Sequence, residues 1–214
     1  MRCFLPLLFL LPGAVAAQPE VPRFTFKLNV SPLLNPSKQA LAFATDVRVA
    51  PRLSVDAGAG AFLGSRAFAS EQGEYYRGLR LRAGFKYYFS QRDGSDIHVG
   101  IEGKYHDIRH HSFREAFRQG RQYVEWLPVD RKVRTYGVAA RMGWMNYFGR
   151  KQQFLAEPFL GIGYLAHRVT SSLPPDAELV GEGEDERVPT IEYETGRSSS
   201  ADILIGLHLG VVLW

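Results

Sequence analysis

From Phe24 onward, apolar and polar residues alternate with a period of two rather than 3.6, the mark of strands with two unlike faces. Phe24, Phe26, Leu28 and Val30 are separated by Thr25, Lys27 and Asn29. The same pattern returns at 41–49, 52–61, 79–89, 97–104, 135–144, 154–164 and 202–213. It is clearest where Leu79, Leu81, Ala83, Phe85, Tyr87 and Phe89 alternate with Arg80, Arg82, Gly84, Lys86 and Tyr88. Eight such segments of about ten residues match the smallest membrane barrels in number and length. The predicted fold is all-β, an eight-stranded antiparallel up-and-down transmembrane β-barrel over residues 18–214.

A soluble lipocalin-like barrel has the same period with its apolar face inward. Connection lengths and aromatic placement favour the membrane form. Short connections at Ala50-Pro51, Gln91–Ser95 and Gly149–Gln152 alternate with long ones at 63–75, 107–132 and 172–200, as periplasmic turns alternate with outer loops. The connection at 33–39 is short for an outer loop. In that topology Phe24, Phe26, Tyr87, Phe89, Phe148 and Phe154 form one rim, and Tyr75, Tyr105, Tyr136 and Tyr164 the other. Two aromatic girdles around an aliphatic band form a membrane-interface pattern. Trp214 follows an apolar strand but falls on its polar face.

The first seventeen residues read as an address. Met1-Arg2 is a basic start, Cys3 to Leu11 is apolar apart from Pro6, and Pro12-Gly13 precedes small residues. That is a secretory signal peptide, cleaved before Ala17 or Gln18. Cys3 is the sole cysteine, so zinc ribbons, thiol enzymes and disulfide frameworks are excluded. The net charge of +4 comes from scattered bases, which argues against a nucleic-acid partner. No cofactor is expected; the expected partners are outer-membrane lipid, lipopolysaccharide and the outer-membrane assembly machinery, with the loop partner unidentified.

The stretches FKLNVSPL, ALAFATDVRVAPRLSVDAGAG and RLRAGFKYYF resemble the Bacteroidota outer-membrane β-barrel family whose domain has no assigned function. So do HVGIEGKYHDIRHHSF, RKVRTYGVAARMGW and LAEPFLGIGYLAHRV. The resemblance implies a small OmpA/OmpX-like barrel in a Gram-negative outer membrane and brings no established reaction. The acidic final loop of this chain departs from the family.

Several residues could carry chemistry. Gly161-Ile-Gly163-Tyr-Leu-Ala166 matches a loose dinucleotide pattern, but no helix follows, so the glycines are small inward residues of a narrow barrel. His106, His110, His111 and Glu115 lack a fixed scaffold for a metal. His110 and Ser112 have the two-residue spacing of outer-membrane lipid A deacylases, with Glu125 or Glu115 to orient the histidine, although Phe113 stands where those enzymes carry asparagine. Ser112-Phe113-Arg114-Glu115 also reads as a capping box opening a short loop helix that ends near Gly120. The non-catalytic reading is preferred: a structural or loop-interacting barrel, with a lipid-modifying enzyme or a soluble ligand-binding barrel as alternatives. The basic 107–132 stretch could pair with the acidic 173–200 stretch. Inside the barrel, Lys27, Arg48, Arg52, Arg80, Arg82, Lys86, Lys104 and Arg141 are expected to face Asp46, Asp56, Glu102, Glu157 and Asp202, with Arg82 and Glu102 as an ion pair.

Overall fold

The computed structural model describes residues 24–31, 40–62, 75–92, 94–180 and 195–213. The predicted signal segment 1–17, Trp214, the 33–39 connection, nearly all of the 63–75 loop and most of the acidic loop (181–194) lie outside them. The strands are β1 (Phe24–Asn29), β2 (Ala40–Ala50), β3 (Leu53–Phe62), β4 (Tyr75–Arg92), β5 (Ser95–Arg118), β6 (Tyr123–Phe148), β7 (Phe154–Ser171), β8 (Glu178–Leu179) and β9 (Gly196–Leu213).

Eight of these close a ring, β1-β2-β3-β4-β5-β6-β7-β9 and back to β1, every pair antiparallel. The fold is all-β, and closure leaves the ring without edges. The two-residue β8 stands outside the ring, paired with the far end of β5.

The alternation sorts most side chains in one direction, although Leu155, Phe159, Leu204 and Val212 are apolar and buried. Most large apolar residues face outward. One register row across the middle of the outer face runs Val55, Phe85, Ile101, Ala140, Ile162 and Ile203. The most exposed of all are Ile203 and Ile205, at 77% and 78%. Phe85 sits in that middle row and Phe43 stacks on Phe26 at 5.5 Å, so the outer band is not purely aliphatic between its girdles.

The inner face is polar and densely filled. Its cross-strand register explains how eight strands can hold so many long side chains. Lys27 lies opposite Gly210, Arg82 opposite Gly58, Lys86 opposite Gly100, His98 opposite Gly143, Glu102 opposite Gly84 and Arg141 opposite Gly161. A Cβ on Gly58 would stand 2.9 Å from Arg82 Nε, and one on Gly143 2.5 Å from the His98 ring. Each glycine vacates the space across which its neighbour's side chain lies. Gly161 and Gly163 belong to this set, in the middle of β7.

Four expectations need correction. Residues 107–132 are not a loop: β5 and β6 pair without interruption from Ser95–Asn146 to Arg118–Tyr123, and the chain turns only at 119–122. Ser112-Phe113-Arg114-Glu115 is therefore strand, not the start of a helix. Its residues stand in register with Val129, Pro128, Leu127 and Trp126 of the opposite strand. Strands of 18 to 26 residues replace the expected ten in β4, β5, β6, β7 and β9. Arg52 does not face inward, because it sits exposed in the Pro51-Arg52 turn.

Past the pairs Tyr75–His111 on β4–β5 and Arg131–Ser171 on β6–β7, β5 and β6 continue as a two-stranded ribbon flanked by β8. Gln119, Gly120 and Arg121 turn its tip with φ of 50°, 70° and 71°.

Candidate functional site

The lumen contains two linked clusters of charge. Nearer the end with the short turns, Lys27 Nζ donates to Asp46 Oδ2 at 3.0 Å and Glu157 Oε2 at 2.7 Å. Lys86 Nζ donates to the same two carboxylates at 2.6 and 3.0 Å. His98 Nε2 and His208 Nδ1 each approach Glu157 at 3.0 Å, so four groups from β1, β4, β5 and β9 converge on one carboxylate of β7. Glu157 is fully buried. A carboxylate out of water needs such a set, because its hydration is lost and must be replaced by hydrogen bonds and opposite charge.

The second cluster begins one layer further along. Arg141 reaches Asp56 at 2.7 Å and Glu102 at 3.2 Å. Arg82 stands 3.5 Å from both Asp56 and Glu102, and Lys104 binds Asp202 at 2.6 Å. Arg82 lies directly opposite Lys104, not Glu102, in the β4–β5 register, so its ion pair with Glu102 is a diagonal one. Arg82 Nη2 lies 3.1 Å from His208 Nε2 and joins the two clusters. Below them Arg48 pairs with Asp96 at 2.8 Å and lies over the Tyr88 ring, while the Tyr147 hydroxyl donates to Asp96 at 2.9 Å. Toward the other end, Ile108, Val133 and Val169 with Phe62 make a small apolar layer.

His98, His208 and Asp96 were absent from the inward charges read from the sequence. The two histidines occupy polar-face positions of their strands, and that parity could have placed them. Asp96 adjoins a turn, where alternation carries no direction.

At the base of the ribbon, His110 and Ser112 share the inner face and are both buried. Burial, with Arg114, Arg131 and His111 nearby, pushes the His110 imidazole down to about 4, so it is neutral at pH 7. Glu125 does not join them. It lies opposite Ala116, six residues beyond His110, or about 20 Å at the strand rise. Glu125 approaches Arg118 instead, at 3.9 Å. Glu115, an odd-numbered residue of β5, shares the other face with His111, whose Nδ1 contacts Asp130 Oδ1 at 2.7 Å. The structure thus brings His110 and Ser112 onto one face and leaves the carboxylates elsewhere. Among the described residues no group of three or more His, Cys, Asp or Glu is placed to hold a metal.

The basic ribbon does meet the start of the acidic segment. Arg118 contacts Asp176 at 3.1 Å, Arg121 forms a two-pronged pair with Glu178, and the Val180 amide donates to the Glu115 carbonyl at 2.9 Å. Phe113, Tyr123, Val124 and Trp126 are exposed on the ribbon.

No family model, no curated protein and no solved structure matches this chain.

Proposed function

We propose that this chain is a small outer-membrane barrel of a Gram-negative bacterium, a closed scaffold that holds a β-ribbon out as an interaction element and carries out no catalysis. One observation carries the reading: the barrel is inverted, with large apolar side chains on its outer wall and ion pairs inside. Ile162 and Ile203 are 72% and 77% exposed, while Glu157, Lys27 and Lys86 are at most 1%. A water-soluble chain rarely exposes a contiguous apolar surface of that extent. Stretches such as Leu79–Phe89 and Ile203–Leu213 are eleven residues long; tilted by about 45°, they rise about 26 Å, the height of an outer-membrane apolar band.

The soluble ligand-binding alternative needs an apolar lumen, and the lipid-modifying alternative needs an acid beside His110 and Ser112; neither arrangement is found among the described residues. The resemblance to Bacteroidota barrels of unassigned function and the predicted signal peptide agree with the membrane reading. In it, both β1 and the end of β9 enter from the periplasm, the assembly machinery inserts the barrel, and the ribbon projects outward.

Heat-modifiable migration tests this reading. The detergent-extracted protein is expected to run faster unboiled than boiled and to fractionate with the outer membrane. Recovery in the soluble periplasmic fraction overturns it.

A further inference from the structure

Just beyond the tyrosine rim the outer wall changes character. Tyr105 and Tyr136 are register partners with ring centroids 5.2 Å apart. Moving away from the apolar band, the next two register rows carry six basic residues, Arg77, Arg109, Lys132, Arg134, Arg168 and Arg197, beside Leu79, Asp107 and Thr170. Two to four residues past the tyrosines is about 7–13 Å along the strand, the depth of the headgroup layer next to the apolar core.

Their register is unusual. Arg77 lies directly opposite Arg109, Arg109 opposite Lys132, Arg134 opposite Arg168 and Arg168 opposite Arg197. Four directly opposed cation pairs on one face repel one another. Opposite charge answers only part of this band: Asp107 lies directly opposite Arg134, while none of the four cation pairs has a glycine as either member. The two carboxylates in this band are already engaged. Asp107 stands 3.3 Å from Lys132 and 3.6 Å from Arg134, and Asp130 is held by His111. Among the described residues, no carboxylate lies within 4 Å of Arg109, Arg168 or Arg197. A surface of this kind is complementary to anions lying across neighbouring strands, and planar guanidinium groups suit phosphate oxygens.

We propose that this band is a binding surface for the phosphate groups of an anionic lipid headgroup, so that the barrel carries a shell of phosphorylated lipid around β4, β5, β6, β7 and β9. The inference rests on the membrane-barrel reading and names its lipid partner. The tyrosines pack at the edge of the acyl region, and the arginines bridge phosphates of lipids seated against the wall.

The test uses the full chain folded in zwitterionic detergent and titrated with diphosphoryl lipid A, with bound lipid counted by native mass spectrometry. The variant is the triple Arg109→Ser, Arg168→Ser, Arg197→Ser, and Arg121→Ser at the ribbon tip is the control. Near an anionic surface each basic side chain contributes about fivefold, so the triple variant is expected to bind on the order of a hundredfold more weakly. The tip control is expected to match the wild type. Without lipid A, the triple variant is expected to unfold at the same or a higher temperature than the wild type, because repulsion is relieved. Equal lipid binding by wild type and triple variant overturns the proposal. So does equal stabilisation by inorganic phosphate alone, which would make the surface a general anion site. A heat-modifiable wild type that ignores lipid A removes only this inference; one that migrates identically with and without boiling removes the barrel reading as well.

Discussion

Glu157→Gln isolates what the luminal charges contribute. The substitution keeps the volume and much of the hydrogen bonding but removes the charge on which Lys27, Lys86, His98 and His208 converge. Lys27 and Lys86 are then left sharing Asp46 alone, at 3.0 and 2.6 Å. Leaving one buried cation without its anion typically costs about 3–5 kcal/mol, and all of these side chains are nearly without solvent. With a urea dependence of about 2 kcal/mol per molar, the unfolding midpoint should fall by roughly 1.5–2.5 M. The assay is urea unfolding of the detergent-folded barrel, followed by tryptophan fluorescence. Removing one cation together with the anion, in Lys86→Met with Glu157→Gln, should recover part of the loss, because the two sites are coupled. A midpoint within experimental error of wild type for Glu157→Gln alone would refute the reasoning, since the lumen would then be wet enough to screen its charges.

Glu102→Ala should also lower the urea midpoint, because Glu102 answers Arg141, Arg82 and Lys104 at 3.2–3.5 Å; an unchanged midpoint would show those contacts to be idle. Gly143→Ala should destabilise by about 1–3 kcal/mol in the same assay, its methyl falling on the His98 ring, whereas Gly103→Ala, with nothing closer than 3.8 Å, should be nearly silent. The rim at the base of the ribbon should loosen in acid. His110 titrates at about 4 when folded and near 6.5 when unfolded, so the unfolded form takes up the proton first and stability falls as pH drops from 6.5 toward 4. Amide exchange at 108–112, corrected for intrinsic rates, should therefore rise over that window in the wild type and stay flatter in His110→Asn; parallel profiles would rule this out. Planar-bilayer recordings should show no large, steady conductance, because the two charge clusters span the lumen.

The faces of the barrel were legible because inside the apolar band the two sides of each strand differ sharply. Lys27, Lys86, Arg141 and Glu157 could each be placed inward from parity alone, and each is buried there. Beyond the band that contrast disappears. From Arg109 to Arg118, polar residues occupy both faces, so a continuous strand looks like a charged loop, and Ser112 with Glu115 mimics a helix cap. What extends the strands is partner geometry, through the β5–β6 register, and no local pattern encodes that. The His110–Ser112 spacing put those two residues on one face, as any two-residue step in a strand does. Glu125 neighbours them only if 107–132 is a loop able to fold back, and the β5–β6 register excludes that. Arg52 shows the reverse failure, since counting parity through Pro51 carried the alternation into a turn.

The convergence on Glu157 has a consequence for how the molecule is made. Lys27 comes from the first strand of the ring, Asp46 from the second, Lys86 from the fourth, Glu157 from the seventh and His208 from the last. These groups meet only once β1 has zipped onto β9. A sheet short of that step would leave those lysines and the carboxylate without the partners that offset their loss of water. Half-built intermediates are thereby penalised twice, for open strand edges and for stranded charge. The charge network acts as a latch across the seam, which makes closure of the ring an all-or-none event.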